Sequence, residues 1–303
     1  MKHEVPLERR TLHGHFSREL EPILTIDAGD SIAFSCLNSG WRTAEHELFL
    51  EREPELDAGH ALVGPVGVRG ARTGQTLEVR IEEIRIGRWG VTEAGGRSTP
   101  LNERLGVADG ETMVLEWELD ADAGSGRDRK GRTVALHPFL GVIGMPPDEP
   151  GIHSTAPPRA SGGNIDCKEL VAGTTLFLPI PVDGALVSAG DGHAAQGDGE
   201  VSQLAIEAPL DRAVLTLSLR DDLELETPIA RTPGAWLTFG FDEDLDEAAA
   251  LAIDAMLELM GREHGLERRE ALALASVVVD LRVTQMVNGV RGIHARLAHD
   301  ALR

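Results

Sequence analysis

From the start of the chain to about Gly240, short runs of alternating apolar and polar residues are separated by Gly, Asp and Pro. Pro22-Ile-Leu-Thr-Ile-Asp27 passes through Ala28-Gly29-Asp30 into Ser31-Ile-Ala-Phe-Ser-Cys36. The device recurs at Arg72-Thr-Gly74-Gln75 before Thr76-Leu-Glu-Val-Arg-Ile81, and at Val171-Ala-Gly173-Thr174 before Thr175-Leu-Phe-Leu178. Period-two alternation turns one face of a strand to a core, and Gly supplies the positive φ of the connecting turn. Further strands are expected over residues 113–119, 185–189, 201–208, 213–219 and 235–241. No fixed repeat period runs through them, which argues against a propeller or solenoid. The pattern predicts a mainly β fold, an antiparallel sandwich or open barrel.

The pattern changes after Gly240. Asp242-Glu-Asp-Leu-Asp-Glu247 sets acids in the first turn of a helix, where the helix dipole favours them, and Leu245, Ala249, Ile253, Met256 and Met260 follow near helical spacing up to a stop around Gly265. A second helix is expected from about Glu267, and the β-branched Val277-Val-Val-Asp-Leu-Arg-Val283 reads equally as a strand or as the helix end. The chain therefore divides into a β-sandwich-like domain over 1–240 that contains the site and a C-terminal α/β appendage over 241–303 packed on it. The Gly-rich polar stretch 123–132 reads as an exposed loop or linker. Pro-rich 146–158 must be irregular, and it leads into a Gly-Gly turn of the kind that frames a site.

Composition removes several functions. The 303 residues carry 29 Lys+Arg against 50 Asp+Glu, a formal charge of −21 that repels phosphate backbones and anionic lipid, so neither nucleic acid nor membrane is an expected partner. No apolar run approaches a membrane span, and Met1 leads into Lys2-His3-Glu4-Val5 without a signal-peptide core. Two cysteines, Cys36 and Cys167, make no disulfide framework, and a reduced, cytoplasmic protein is the expectation. Tyrosine is absent and lysine occurs only at 2, 130 and 168, so mechanisms built on a tyrosine acid or a Ser-Lys pair have almost no material.

The densest set of potential ligands lies in Gly162-Gly-Asn-Ile-Asp-Cys-Lys-Glu169 and Gly190-Asp-Gly-His-Ala-Ala-Gln-Gly-Asp-Gly-Glu200. So many glycines suit neither a core nor a regular strand, and the second block is expected to be a loop. Carboxylate oxygen and imidazole nitrogen suit a divalent metal, zinc before calcium, since the Asp-x-Asp-x-Asp-Gly pattern of a calcium loop is missing. A bare Gly/Asp surface loop is the competing reading.

Gly162-Gly-Asn-Ile-Asp166, Leu176-Phe-Leu-Pro-Ile-Pro-Val182, Gly184-Ala-Leu186 and the block 190–200 together resemble the acetamidase/formamidase family. The likeness extends through His60-Ala-Leu-Val-Gly-Pro-Val-Gly-Val-Arg-Gly-Ala71, Trp89-Gly-Val-Thr92 and Pro138-Phe-Leu-Gly-Val-Ile-Gly144 to Asp280-Leu-Arg-Val-Thr-Gln-Met-Val-Asn288. His13-Gly-His-Phe-Ser17 departs from the Trp-Asp that relatives often carry, which bears on one wall of the pocket and on substrate size. The resemblance implies hydrolysis of a small aliphatic carboxamide, formamide- or acetamide-like, to carboxylate and ammonia. It also implies an all-β main domain with an α/β appendage, a metal in at least some members, and a homo-oligomer, a dimer or larger.

An amide is a poor electrophile with a bad leaving group, so its carbonyl must be polarised and both a nucleophile and a proton supplied. A zinc-like ion polarises the carbonyl and acidifies water, and a carboxylate moves the proton. Asp166, Asp191 and His193 are the expected metal ligands, and Asp191 and His193, two apart, can face one way from a strand. Glu200 is the expected base, with Asp198 or Glu207 behind it; His60, at a position that resembles a fixed one in the family, joins it as a catalytic candidate. Gly163, Asn164 and Gln196 are the candidate substrate contacts. A Cys167 nucleophile beside Lys168 and Glu169 is weaker, because neighbours on an extended chain point to opposite faces. Cys36, in an alternating strand, reads as a small buried hydrophobe, and His137, His153 and His294 have no partner pattern. A non-catalytic β-sandwich binding protein with a structural metal is the alternative from another class.

Overall fold

The computed structural model describes residues 1–302. Among them, the strands form three sheets, with no closed barrel. The largest runs in the order Lys2–Val5, Ser31–Cys36, Leu210–Arg220, Thr76–Ile86, Thr175–Pro179, Ile229–Arg231, Ala235–Asp242, Arg291–Ala298 and Val279–Gln285. A second sheet runs Pro158–Arg159, Gly162–Asn164, Phe139–Gly144, Val187–His193, Leu62–Val68 and Leu12–His13, and Leu24–Ile26 joins it beside Leu62–Val68. The smallest joins Thr133–Ala135, Ser125–Asp128, Met113–Asp120 and Trp89–Ala94 by successive antiparallel pairings.

The alternation explains this arrangement. Thr76–Ile86 buries Leu77, Val79 and Ile81 while Arg80, Glu82 and Glu83 stay exposed. These residues share one core cluster with Phe34, Leu215 and Leu217 of the same sheet and with Val63, Val66, Leu140, Ile143 and Val187 of the second. Two sheets thus enclose one apolar layer, the physical content of the mainly β expectation.

The helix Leu245–His264 starts where the acidic run predicts, with Asp244 accepting from the backbone N–H of Asp246 and Glu247, and it ends at Gly265 with φ 69°. Its buried face, Ala248, Ala252, Met256 and Leu259, packs with Ile293, Ala295 and Leu297 of the strand Arg291–Ala298. The ambiguous 277–283 run is both things at once: the helix Arg268–Val278 ends inside it and the strand Val279–Gln285 begins.

Three local expectations are corrected. The stretch 123–132 is not simply a loop, since Ser125–Asp128 pairs with both Met113–Asp120 and Thr133–Ala135, and Asp120 and Asp128 cap the turns with their carboxylates. The expected Gly-Gly turn at 162–163 is a short strand, Gly162–Asn164, paired to Phe139–Gly144. Residues 201–208 form no strand; Glu207 alone makes single-residue bridges, to Val91 and to His193. Left-handed backbone at Glu200, φ 47°, and Gln203, φ 77°, breaks the extended run that its alternation suggested. No helix among the described residues is long and apolar enough to cross a membrane.

Candidate active site

The largest correction concerns the glycine-rich block. Gly190, Asp191, Gly192 and His193 do not lie in a loop; they end the buried strand Val187–His193, flanked by Phe139–Gly144 and Leu62–Val68. The missing side chains are the reason. A Cβ on Gly190 would lie 2.4 Å from the carbonyl oxygen of Ala61, and one on Gly192 would lie 2.4 Å from that of Ala208. Close approach of neighbouring backbones therefore selects glycine here, and the strand is held by its neighbours and not by its own propensity.

Asp191, between the two glycines, and His193, just after them, project on one side, as their spacing predicted. Leu140 pairs with Gly192 and Val142 with Gly190, so Gly141 lies opposite Asp191. A Cβ on Gly141 would meet Asp191 Oδ2 at 2.5 Å, Asp166 Oδ1 at 2.7 Å and His193 Cε1 at 3.0 Å. The three expected metal ligands thus converge over one glycine. Asp166 arrives there from the end of the short strand Gly162–Asn164, with its backbone N–H donating to the Gly141 carbonyl at 3.2 Å.

Glu207 completes the cluster. Its Oε1 lies 3.1 Å from His193 Nε2, and Asp191 Oδ2 lies 3.3 Å from the same nitrogen. Asp166, Asp191 and His193 form one buried group whose ligand atoms fall within 4.8 Å of one another, and His193, Glu200 and Glu207 form a second. Glu200, the candidate base, therefore sits beside the cluster. His60 stands at the rim, with Nε2 3.9 Å from Asp191 Oδ2 and Nδ1 hydrogen-bonded to Thr155 Oγ1 at 2.8 Å.

The imidazole of His193 is fixed on three sides. Phe139 meets it edge-on with ring centroids 4.9 Å apart. Gln196 donates from Nε2 to the Asp166 carbonyl at 2.7 Å, which turns its Oε1 toward His193 Nδ1 at 3.1 Å. Nδ1–H is then the donor to Gln196, and Nε2 faces Asp191 and Glu207. Gln196, a candidate substrate contact, has both ends of its amide committed to Asp166 and His193. Asn164 donates to the Ala156 carbonyl and keeps Oδ1 buried without a partner; Gly163 pairs with Ile143 in the sheet.

The electrostatics are those of crowded acids. Burial pushes the Asp166 carboxyl up to about 7, partly offset by His193. Burial and the neighbouring Asp166 raise Glu200 well above the usual carboxylate range. Burial alone would lower His193, but the Glu207 and Asp191 carboxylates override it and hold the ring well above its ordinary value. Asp191 is held below its usual value, because His193 and His60 outweigh its burial. Three of the eight non-glycine residues with positive φ among the described residues are Asp166, Asp191 and Glu200, strain of the kind that gathers where a site over-determines the backbone.

The donor set passes a test for a cation on its own oxygens. Asp166 Oδ1, Asp191 Oδ1, Glu200 Oε2 and Glu207 Oε2 are buried with no hydrogen-bond donor. Buried carboxylate oxygens without donors are costly, and a divalent ion would supply the missing positive charge. Carboxylate oxygens with one imidazole make a donor set that could hold a divalent ion. The thiol reading finds no such support: Cys167 is buried, burial drives its thiol above its ordinary value, and Lys168 is turned to Asp198 at 2.9 Å. Cys36 is a buried strand residue whose thiol burial pushes up to about 12.

Two clefts flank the cluster. One, of about 790 Å³, is lined by His60, Thr155 and Glu207 and also by His15. The other, of about 840 Å³, is lined by Gln196 and Glu200 and by Lys168 and Arg282. Leu204 borders both, so the irregular segment from Glu200 to Glu207 is the wall between them. Sequence reasoning undervalued Glu207, which reaches the cluster through its isolated bridge to His193, and missed Thr155 and the buried contacts of His294 with Thr284 and Glu169. Nothing in local periodicity signals such pairings.

The family model for the acetamidase/formamidase family matches residues 1–152 and 149–220. The chain belongs to that family. The solved acetamidase of Bacillus halodurans is 28% identical with a TM-score of 0.84, and the alignment covers 97% of each chain. An acetamidase structure from Yersinia enterocolitica shares the fold, with a TM-score of 0.85 at 22% identity over 100% of this chain and 94% of its own. The formamidase of Methylophilus methylotrophus is 24% identical over 63% of this chain and 60% of its own length.

Proposed function

We propose that this amidohydrolase cleaves a small aliphatic carboxamide to carboxylate and ammonia with the help of a divalent metal held by Asp166, Asp191 and His193, with Glu207 as an adjoining donor. The observation that carries the reading is the convergence of these side chains over Gly141, with buried carboxylate oxygens that have no donor of their own. Membership in the acetamidase/formamidase family supplies the reaction class.

Such an ion, when bound, supplies Lewis-acid polarisation and makes water a stronger acid. The remaining work falls to the chain. Gln196 holds His193 in the tautomer whose Nε2 faces the cluster. Glu200 Oε2, which has no partner, is free to take the proton of the attacking water and to return it to the leaving nitrogen. A cation beside Glu200 favours its ionised form and so counteracts the burial that raises it. His60, half-buried at the rim and anchored by Thr155, orients the amide as it enters from the cleft it shares with Glu207. Gly163 and Asn164, one strand away, shape the floor behind Asp166.

Two variants separate the roles. Glu200→Gln should retain metal and fold while lowering turnover by roughly 100-fold to 10,000-fold, the usual worth of acid–base catalysis. His193→Ala should lose the metal as well, because an incomplete donor set remains. Metal content and ammonia release are measured together on both. A fully active Glu200→Gln protein would remove Glu200 from the proton transfer.

A further inference from the structure

The turn that follows Val279–Gln285 reaches from the C-terminal strands back into the acid cluster. Gln285 is fully buried; its Oε1 accepts from the backbone N–H of Val287 at 2.9 Å and of Asn288 at 3.1 Å, and its Nε2 donates to the Val290 carbonyl at 2.8 Å. One side chain thereby fixes the turn at three points. From that turn Asn288 Nδ2 donates to Asp166 Oδ2 at 2.6 Å. The other oxygen of the same carboxylate, Oδ1, is buried with no partner and lies over Gly141. The two oxygens of Asp166 are therefore unequal, one tied to an amide and one bare toward the cluster. The same strand also steadies the approach to Glu200, since Gly199 donates to the Thr284 carbonyl and accepts from the Met286 N–H, each at 3.2 Å.

We propose that Asn288 is a positioning residue that clamps Asp166 through Oδ2 so that Oδ1 is presented to a divalent cation, and that Gln285 holds Asn288 in place for this task. The inference rests on the reading of Asp166 as a metal donor. An outer partner of this kind sets the orientation of a ligating carboxylate without touching the ion, and its loss typically weakens metal binding by roughly 10–100-fold. Asn288 lies far in sequence from every other site residue, so the C-terminal strands would be part of the site and not only a support for it.

The test is the zinc dissociation constant of the purified full chain, read by competition with a chromogenic chelator of known affinity. Asn288→Leu should weaken zinc by roughly 10–100-fold with the metal-free melting temperature near that of the parent. Asn288→Ser, which cannot span the gap, should show the same loss and serves if the leucine variant folds poorly. Gln285→Met should weaken zinc in the same direction, and the double variant should be little worse than either single one, because both remove the same clamp. Asp166→Asn provides the separate check on the underlying reading. Unchanged zinc affinity in Asp166→Asn overturns both the donor assignment and the clamp. Weakened zinc in Asp166→Asn with unchanged zinc in the Asn288 variants overturns the clamp alone. Fully additive losses in the double variant overturn the part assigned to Gln285.

Discussion

Replacing Gly141 with Ala puts a single methyl group into the centre of the acid cluster. Its φ lies outside the left-handed region, so alanine is not penalised by the backbone. The new Cβ would stand 2.5 Å from Asp191 Oδ2 and 2.7 Å from Asp166 Oδ1, where ordinary contact begins at 3.4 Å. The two oxygens must therefore retreat by about 0.9 and 0.7 Å, several times the ~0.2 Å that a metal site tolerates in its donor distances. Both are ends of side chains, so the carboxylates give way before the strand does. The expected result is a loss of zinc affinity of about 100-fold or more, a matching loss of turnover, and a fold weakened by only about 1–3 kcal/mol, the usual cost of one extra methyl group in a packed interior. Gly190→Ala is the comparison: its Cβ would strike the Ala61 backbone, which cannot swing aside, so loss of the fold is expected there. Metal content, chelator competition and thermal melting on the two variants give the answer. A Gly141→Ala protein that binds zinc and turns over like the parent would refute the convergence of donors at this point.

The metal-free chain should lose stability as pH rises from 5 to 8. Asp166, raised to about 7, and Glu200, raised well above the ordinary range, keep protons that the unfolded chain has already released, while the raised His193 loses its advantage above its ordinary value near 6.5. All three give the same sign, since the folded state binds more protons than the unfolded one across that window. Melting temperature against pH on chelator-stripped protein checks this, and a curve that rises toward pH 8 would contradict it. Zinc affinity should move the other way and strengthen with pH, because binding displaces those protons; competition titrations at pH 6 and pH 8 measure it.

The parts of the fold visible in the sequence were those fixed by local pattern. Ser31–Cys36, Thr76–Ile86 and Leu210–Arg220 alternate because one face meets the shared core, and Asp244 with Gly265 brackets the long helix by cap chemistry that acts within one turn. The end of the strand Val187–His193, from Gly190 on, was hidden because its glycines are chosen by the backbones of Ala61 and Ala208, neighbours distant in sequence. The opposite error at 201–208 has the same origin, an alternation overruled by left-handed residues that bring Glu200 and Glu207 to the cluster. Among the candidate site residues, Asp191 and His193 stand out through spacing on one strand, and Asp166 through the block that resembles the family. Glu207 and Asn288 reach the cluster by long-range contacts, to His193 and to Asp166, which leave no periodic trace.

Ammonia release from formamide, acetamide and propionamide, before and after stripping the protein with a chelator, bears most directly on a metal-assisted amidohydrolase centred on Asp166, Asp191 and His193. Turnover of at least one of these amides, abolished by chelation and restored by zinc in proportion to the metal rebound, is the expected result. Turnover that survives complete removal of metal, confirmed by metal analysis of the same sample, would contradict the metal's part in the reaction. No ammonia from any of the three with metal firmly retained would contradict the assignment of small aliphatic amides as substrates and favour a binding protein with a structural ion.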